Sequence, residues 1–164
     1  MWQWLRSLFT MSMPEPAGPP QTLRAFSAGE HPITLDGIRP DQGGWCIDAA
    51  GSRTVRLFDV TDPGVEQCML TYRAEMKTED LKGRAFLEMW CGLPGRGEFF
   101  SKGFQQAVSG TIGWSRYETP FYLKKGQKPD LIKLNLVIEG TGKVWLRHVE
   151  LLQTPLAEQA ATGG

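Results

Sequence analysis

The chain has 164 residues, 41% of them hydrophobic, which suits one domain with a filled core and short extensions. Its 18 basic and 18 acidic residues cancel, and no basic stripe stands out, so nucleic acid is not expected as a partner. Nineteen glycines and 11 prolines fit a chain of many strands and turns.

Residues 1–13 form an N-terminal aromatic segment in which Trp2, Leu5 and Phe9 recur at helical spacing. The run falls far short of the ~20 apolar residues that span a bilayer. It also lacks the uninterrupted apolar stretch and small-residue cleavage site of a secretory signal. Three readings are open: an interfacial helix touching a membrane, a docking segment for a protein partner, or upstream sequence preceding a start at Met11 or Met13. Residues 14–24 are a linker, because the prolines between Pro14 and Pro20 remove backbone donors and favour extended geometry.

From Ala25 onward the pattern is that of strands. Pro32–Leu35, Gly44–Asp48 and Thr54–Val60 are short strands parted by turn residues such as Asp36-Gly37 and Asp62-Pro63-Gly64. Between Cys68 and Lys77, Leu70, Tyr72, Ala74 and Met76 share one face, and Arg73 and Glu75 share the other. Arg84–Cys91 alternates likewise, with Leu87 and Met89 inward and Glu88 and Trp90 outward. Gly92–Gly113 reads as a long glycine-rich connection anchored by Phe99, Phe100 and Phe104, which pack over one end of the domain as a wall of the ligand groove. Trp114–Leu123 is a strand interrupted by Pro120. Leu131–Glu139 sends Ile132, Leu134, Leu136 and Ile138 inward and Lys133 and Asn135 outward, and Gly140-Thr141-Gly142 turns into a last strand, Lys143–Leu152. A domain spanning 25–152 and a flexible tail at 153–164 complete the division.

Roughly nine strands with no long helix predict an all-β fold, a two-sheet antiparallel β-sandwich. Leu57, Leu70, Tyr72, Leu87, Leu134, Leu136 and Trp145 are expected in its core, with Trp114 and Phe121 beside them. Cys46, Cys68 and Cys91 contain no C-x-x-C spacing, so a zinc site is not expected. They read as buried reduced thiols, with one bridge plus a free thiol as the alternative.

Leu70-Thr71-Tyr72-Arg73-Ala74, Gly113-Trp114 through Pro120-Phe121, and Gly140 through Leu151 together resemble a known pattern. It is the galactose-binding-like jelly roll of non-catalytic carbohydrate-binding modules, in particular those that accompany xylanases and cellulases. The resemblance covers about residues 33–152. Gly83–Gly97, with Glu88-Met89-Trp90-Cys91, also looks like a bacterial group of stand-alone proteins of this fold. The resemblance implies a sugar-binding surface and no catalysis. Many relatives carry an aspartate pair after the Trp-containing segment of the last strand, and one of the two often helps to hold calcium. Here Arg147 and His148 stand there, poor ligands for an ion that wants oxygen, so the resemblance brings no metal or other cofactor with it.

The outward residues of three strands, Arg73, Glu75, Glu88, Trp90, Lys133 and Asn135, are the expected ligand-binding patch: an aromatic platform for sugar C–H faces among hydrogen-bonding groups. Cross-strand ion pairing on a solvated face accounts for the same charges. Glu75 and Glu88 invite comparison with a glycosidase pair, but nothing sets their acidities apart, and His31 and His148 lack metal-ligand spacing. No catalytic residue is therefore assigned. The expected partner is a poly- or oligosaccharide, and a protein-interaction or scaffold role without a sugar is the alternative.

Overall fold

The computed structural model describes residues 14–157. The aromatic segment 1–13 and the tail residues 158–164 lie outside the described residues. The described residues form eight strands: β1 (Gln21–Phe26), β2 (Ile38–Asp41), β3 (Gly44–Ala49), β4 (Arg53–Thr61), β5 (Cys68–Leu93), β6 (Gly97–Lys102), β7 (Val108–Tyr122) and β8 (Leu131–Pro155). All pairings are antiparallel. Among the described residues no helix is long and apolar enough to cross a membrane.

The sandwich is one sheet folded back on itself. β5 and β8 are 26 and 25 residues long and pair with each other through both layers. In the first layer the N-terminal half of β5 pairs with β7, and the C-terminal half of β8 pairs with β1 and β3. In the second layer the C-terminal half of β5 pairs with β6, and the N-terminal half of β8 pairs with β4. The alternation of the sequence thus resolves into two long bent strands where four short ones are expected.

The bend sits where glycines allow two backbones to meet. Gly83 and Gly140 are directly paired and have φ of 116° and 118°. A Cβ on Gly83 would collide with the Glu139 carbonyl, and one on Gly140 with the Lys82 carbonyl. Positive φ and the absence of a side chain are both needed there, so only glycine fits without strain.

Inward residues of both layers merge into one core. Leu70, Tyr72, Ala74 and Met76 come from the first half of β5, Leu87 and Met89 from the second, and Leu134, Leu136, Ile138, Val144 and Leu146 from β8; all are buried. Leu57 and Trp145 are buried as expected, but Trp145 lies on the outer side of the first layer. It alternates with the inward Val144 and Leu146, and it is covered by Asp41, which accepts from its indole at 2.8 Å, and by the Lys77 ammonium, 4.6 Å from its ring. Trp114, also expected in the core, is half-buried on the same outer side beneath the Arg147 guanidinium, 4.0 Å from the ring.

The edges differ from the sequence reading. Residues 21–24, assigned to the linker, belong to β1, where Leu23 packs on the core and Gln21 pairs with Gln153. Pro16 bridges to Leu156, which is buried although it falls in the stretch read as a tail. Backbone hydrogen bonds from Ala17 to Pro155 and from Ala157 to Glu15, at 2.7 and 2.8 Å, tie the two ends of the described chain together. Cys46, Cys68 and Cys91 are buried free thiols. Burial pushes Cys68 up to about 11 and, with Cys68 adding to it, Cys91 up to about 12.

Candidate functional site

A groove of about 340 Å³ lies on the outer face of the second layer, lined by Thr54, Arg56, Glu88, Trp90, Glu98, Lys133 and Asn135. Four strands supply it, and register sets its rows. Asn135 stands between Arg56 on β4 and Glu88 on β5, and Glu88 lies opposite Lys102 on β6. In the next row Lys133, Trp90 and Phe100 stand side by side.

Glu88 is the hub. It is only 5% exposed, and one of its oxygens, Oε1, accepts from the Trp90 indole and from the Asn135 amide, each at 2.9 Å. The Lys102 ammonium is 3.6 Å from its other oxygen. A buried carboxylate is costly unless partners of this kind surround it. By accepting from both, the carboxylate holds the indole and the amide in fixed orientations. The Phe100 ring leans on Trp90 with centroids 5.1 Å apart and planes at 56°, so the two rings form an aromatic wall. Beyond them Phe104 leans on Phe86 at 4.7 Å.

The other charges are paired. Lys133 meets Glu98 at 2.9 Å, and Arg56 meets Asp59 at 2.8 Å. Asn135 is 5% exposed, and its Oδ1 is buried with no hydrogen-bond partner.

Of the six residues expected in one patch, the structure brings together Glu88, Trp90, Lys133 and Asn135. Arg73 and Glu75 are a correction: they project from the first layer, on the other side of the bend in β5. There Arg73 pairs with Glu150 at 3.0 Å, and Glu75 takes both Arg147, at 3.0 Å, and His148. They border a separate cleft of about 60 Å³. The aromatic faces of that layer are occupied, since Arg147 lies over Trp114 and Lys77 over Trp145. Among the described residues no cation lies over Trp90, whereas the Lys102 ammonium lies 4.7 Å from the centroid of the Phe100 ring.

The sequence reading omits Thr54, Arg56, Glu98 and Lys102. Thr54 and Arg56 do alternate with the buried Val55 and Leu57, so their outward direction was visible; that β4 lies beside β8 was not. The long connection is also corrected. Gly97–Lys102 is a strand hairpinned to β5, and Phe99, Phe100 and Phe104 are 43%, 52% and 46% exposed rather than buried anchors.

No protein-family model and no curated protein matches the chain by sequence. Solved structures do match by shape. The CBM22-1 xylan-binding domain of Xyn10C from Paenibacillus barcinonensis superimposes with a TM-score of 0.55 at 12% identity, over 86% of this chain and 99% of that one. Weaker likenesses run to two further proteins. One is the CBM22-1–GH10 portion of endo-1,4-beta-D-xylanase 10B from Clostridium thermocellum in complex with xylohexaose (TM-score 0.49, 10% identity, 87% of this chain and 27% of that one). The other is the family 29 carbohydrate-binding module CBM29_1 from Piromyces equi (0.42, 8%, 83% and 90%). The chain has the β-sandwich jelly-roll fold of carbohydrate-binding modules.

Proposed function

We propose that this chain is a non-catalytic carbohydrate-binding module that holds a poly- or oligosaccharide in the groove over its second layer. The observation that carries the reading is the placement of an aromatic wall, Trp90 and Phe100, beside a row of oriented polar groups, Glu88, Asn135 and Lys133. Sugars present apolar C–H faces and polar edges, and a groove with one surface of each kind complements both. The shared fold with a xylan-binding domain supports the same reading. Binding without cleavage is favoured because the two carboxylates that line the groove are engaged. Glu88 accepts from Trp90 and Asn135, and Glu98 is paired with Lys133, whereas glycoside hydrolysis needs one carboxyl group to donate a proton and another to act as base or nucleophile.

A glycan array on the full chain, followed by titration of the best ligand, tests this. Trp90→Ala is expected to weaken binding by at least about tenfold, the scale of one lost stacking contact. Absence of any glycan ligand, or a Trp90→Ala variant that binds as the parent does, rejects the reading. A protein-docking role is the second reading, favoured by the exposure of Phe99 and Phe100 on the edge strand β6. It predicts that changing Phe99 alone abolishes partner capture while leaving sugars irrelevant.

A further inference from the structure

Sheet edges present unpaired backbone groups to solvent, and folded chains usually blunt them. Four edge strands of this sandwich are blunted. β1 has a register shift between Thr22 and Arg24. β2 is four residues long and contains Pro40. β4 is covered at Leu57 and Arg56, whose carbonyls accept from Ile33 and Thr34, each at 2.9 Å. β7 carries Pro120 and three register shifts. β6 has none of these features. It pairs with β5 over six residues without a shift, contains no proline, and among the described residues has no strand on its other side.

Hydrogen bonding fixes which β6 groups are left over. The Gly103 N–H donates to the Leu87 carbonyl at 2.8 Å, in line with the register that sets Lys102 opposite Glu88. Residues that bond to the neighbouring strand alternate in an antiparallel ladder, so Ser101 and Phe99 also face β5. The N–H and C=O of Glu98, Phe100 and Lys102 therefore point away from it. Their side chains share the outer face, where Glu98 meets Lys133, Phe100 touches Trp90 and Lys102 meets Glu88.

This edge is its own complement. A two-fold axis beside Phe100, perpendicular to the sheet, sets β6 antiparallel to a second β6. Phe100 then stands opposite the partner's Phe100, and Glu98 opposite the partner's Lys102, twice over. All these pairs join residues whose backbone groups point outward, as the ladder requires. Aromatic pairs and opposite charges are favoured cross-strand neighbours. Charges on an edge ordinarily discourage pairing, but Glu98 and Lys102 differ in sign and so admit this one register. A slip of two residues sets Glu98 against the partner's Phe100, and a slip of four sets like charges together. Lys133 is held at Oε1 of Glu98, which leaves Oε2 for a second ammonium.

We infer that β6 is a homodimer interface, through which two copies of this chain join edge to edge into one continuous second layer. The contact uses up both edges, so assembly stops at two. The two grooves then open on the same side of the joined sheet.

Sedimentation equilibrium of the full chain from about 1 μM to about 1 mM tests this, because six paired residues make a small interface and a weak dimer. The mass is expected to rise from that of one chain toward that of two. In the same protein, NMR should show the Glu98, Phe100 and Lys102 amide protons exchanging at least about tenfold more slowly as concentration rises. Those of Phe99 and Ser101, already bonded to β5, should change little. Neither measurement needs a variant. Glu98→Lys and Lys102→Glu each place like charges opposite one another twice, and each is expected to weaken the dimer about tenfold or more. Mixed in equal amounts, the two variants recover both opposite-charge pairs, so a heterodimer about as tight as the parental dimer is expected. A parent that remains a single chain at about 1 mM overturns the inference. So does a dimer whose Glu98, Phe100 and Lys102 amides exchange as in the monomer, or a pair of variants that each dimerise as the parent does.

Discussion

The indole nitrogen of Trp90 donates to the carboxylate of Glu88 at 2.9 Å, across two positions on the outer face of one strand. The ring that would carry a sugar is therefore fixed by a buried charge and does not swing freely on a solvated sheet. Trp90 is half-buried for the same reason.

Glu88 should consequently matter for stability as well as for binding. Glu88→Ala leaves the Trp90 and Asn135 donors without their acceptor in a site of little exposure. A loss of about 3 kcal/mol is expected, and about 1 kcal/mol for Glu88→Gln, whose oxygen still accepts from one of them. Urea midpoints of the two variants measure the difference. Equal, small losses in both would show that the carboxylate is not what holds the row together.

Phe100→Ala tests the aromatic wall. A buried phenylalanine at this position would lose ~3 kcal/mol or more on truncation. The ring is 52% exposed and touches Trp90 on one side, so the cost to stability is expected to be about 1 kcal/mol or less. The effect on sugar affinity should exceed it. A large drop in unfolding midpoint with unchanged affinity would assign Phe100 to the core of the hairpin.

The contrast between Phe100 and Leu87 shows which features were legible beforehand. Leu87 alternates with charged and aromatic neighbours, and period-two alternation sorts inward from outward residues whatever lies above the sheet. It separates faces but does not say which layer a face belongs to. Arg73 and Glu88 both point outward from β5, yet the bend at Gly83 puts them on opposite sides of the molecule. A glycine was readable there as a break; that both halves remain one strand depends on the close crossing with Gly140, a contact far away in sequence. The places of Arg56, Glu98 and Lys102 are hidden in the sequence for a related reason. Arg56 and Glu98 reach the groove, and Lys102 reaches Glu88, through the pairing of their strands with β8 or β5, and local sequence carries little information about long-range pairing.

The thiols should be inert in the folded chain. Burial pushes Cys68 up to about 11 and Cys91 up to about 12, and Cys46 is raised by the same cause. The thiolate is the reactive form, so alkylation at about pH 8 is expected to leave all three unmodified until denaturant is added. Mass spectrometry before and after unfolding reads the outcome. Rapid labelling of Cys68 or Cys91 in the native protein would mean that the end of β5 opens.

The Arg84–Glu139 pair beside the bend predicts a pH dependence. Its two contacts are 2.7 and 3.4 Å, and the hydrogen bond from Arg84 lowers the Glu139 pKa below its ordinary value. A depressed folded-state value means that the carboxylate binds protons less readily folded than unfolded. Its contribution is present above the ordinary range near ~4.3 and is lost as pH falls through the lower folded value. Glu139→Gln should therefore be less stable than the parent at neutral pH, with the gap closing in acid. A gap that is constant with pH would detach the pair from acid unfolding.

Tyr72 provides the last prediction, in the centre of the core. Its side chain is fully buried, its hydroxyl has no hydrogen-bond partner, and burial together with the nearby Glu88 charge raises its pKa well above the usual phenol range. An unpartnered hydroxyl in an apolar interior costs free energy that the unfolded chain avoids by hydrogen bonding to water. The ring itself fills space between Leu70, Ala74 and the inward face of β8 and should be kept. Tyr72→Phe removes the oxygen and retains the ring, so it is expected to stabilise the protein by about 1 kcal/mol, the low end of the cost of one unsatisfied buried group. Tyr72→Ala removes the ring as well and should cost about 4 kcal/mol through the cavity it leaves. Paired thermal and urea melts of the two variants read opposite signs if the packing is as described. Destabilisation by Tyr72→Phe would reveal that the hydroxyl does find a partner, with the Glu88 carboxylate the candidate to probe by repeating the substitution in Glu88→Gln.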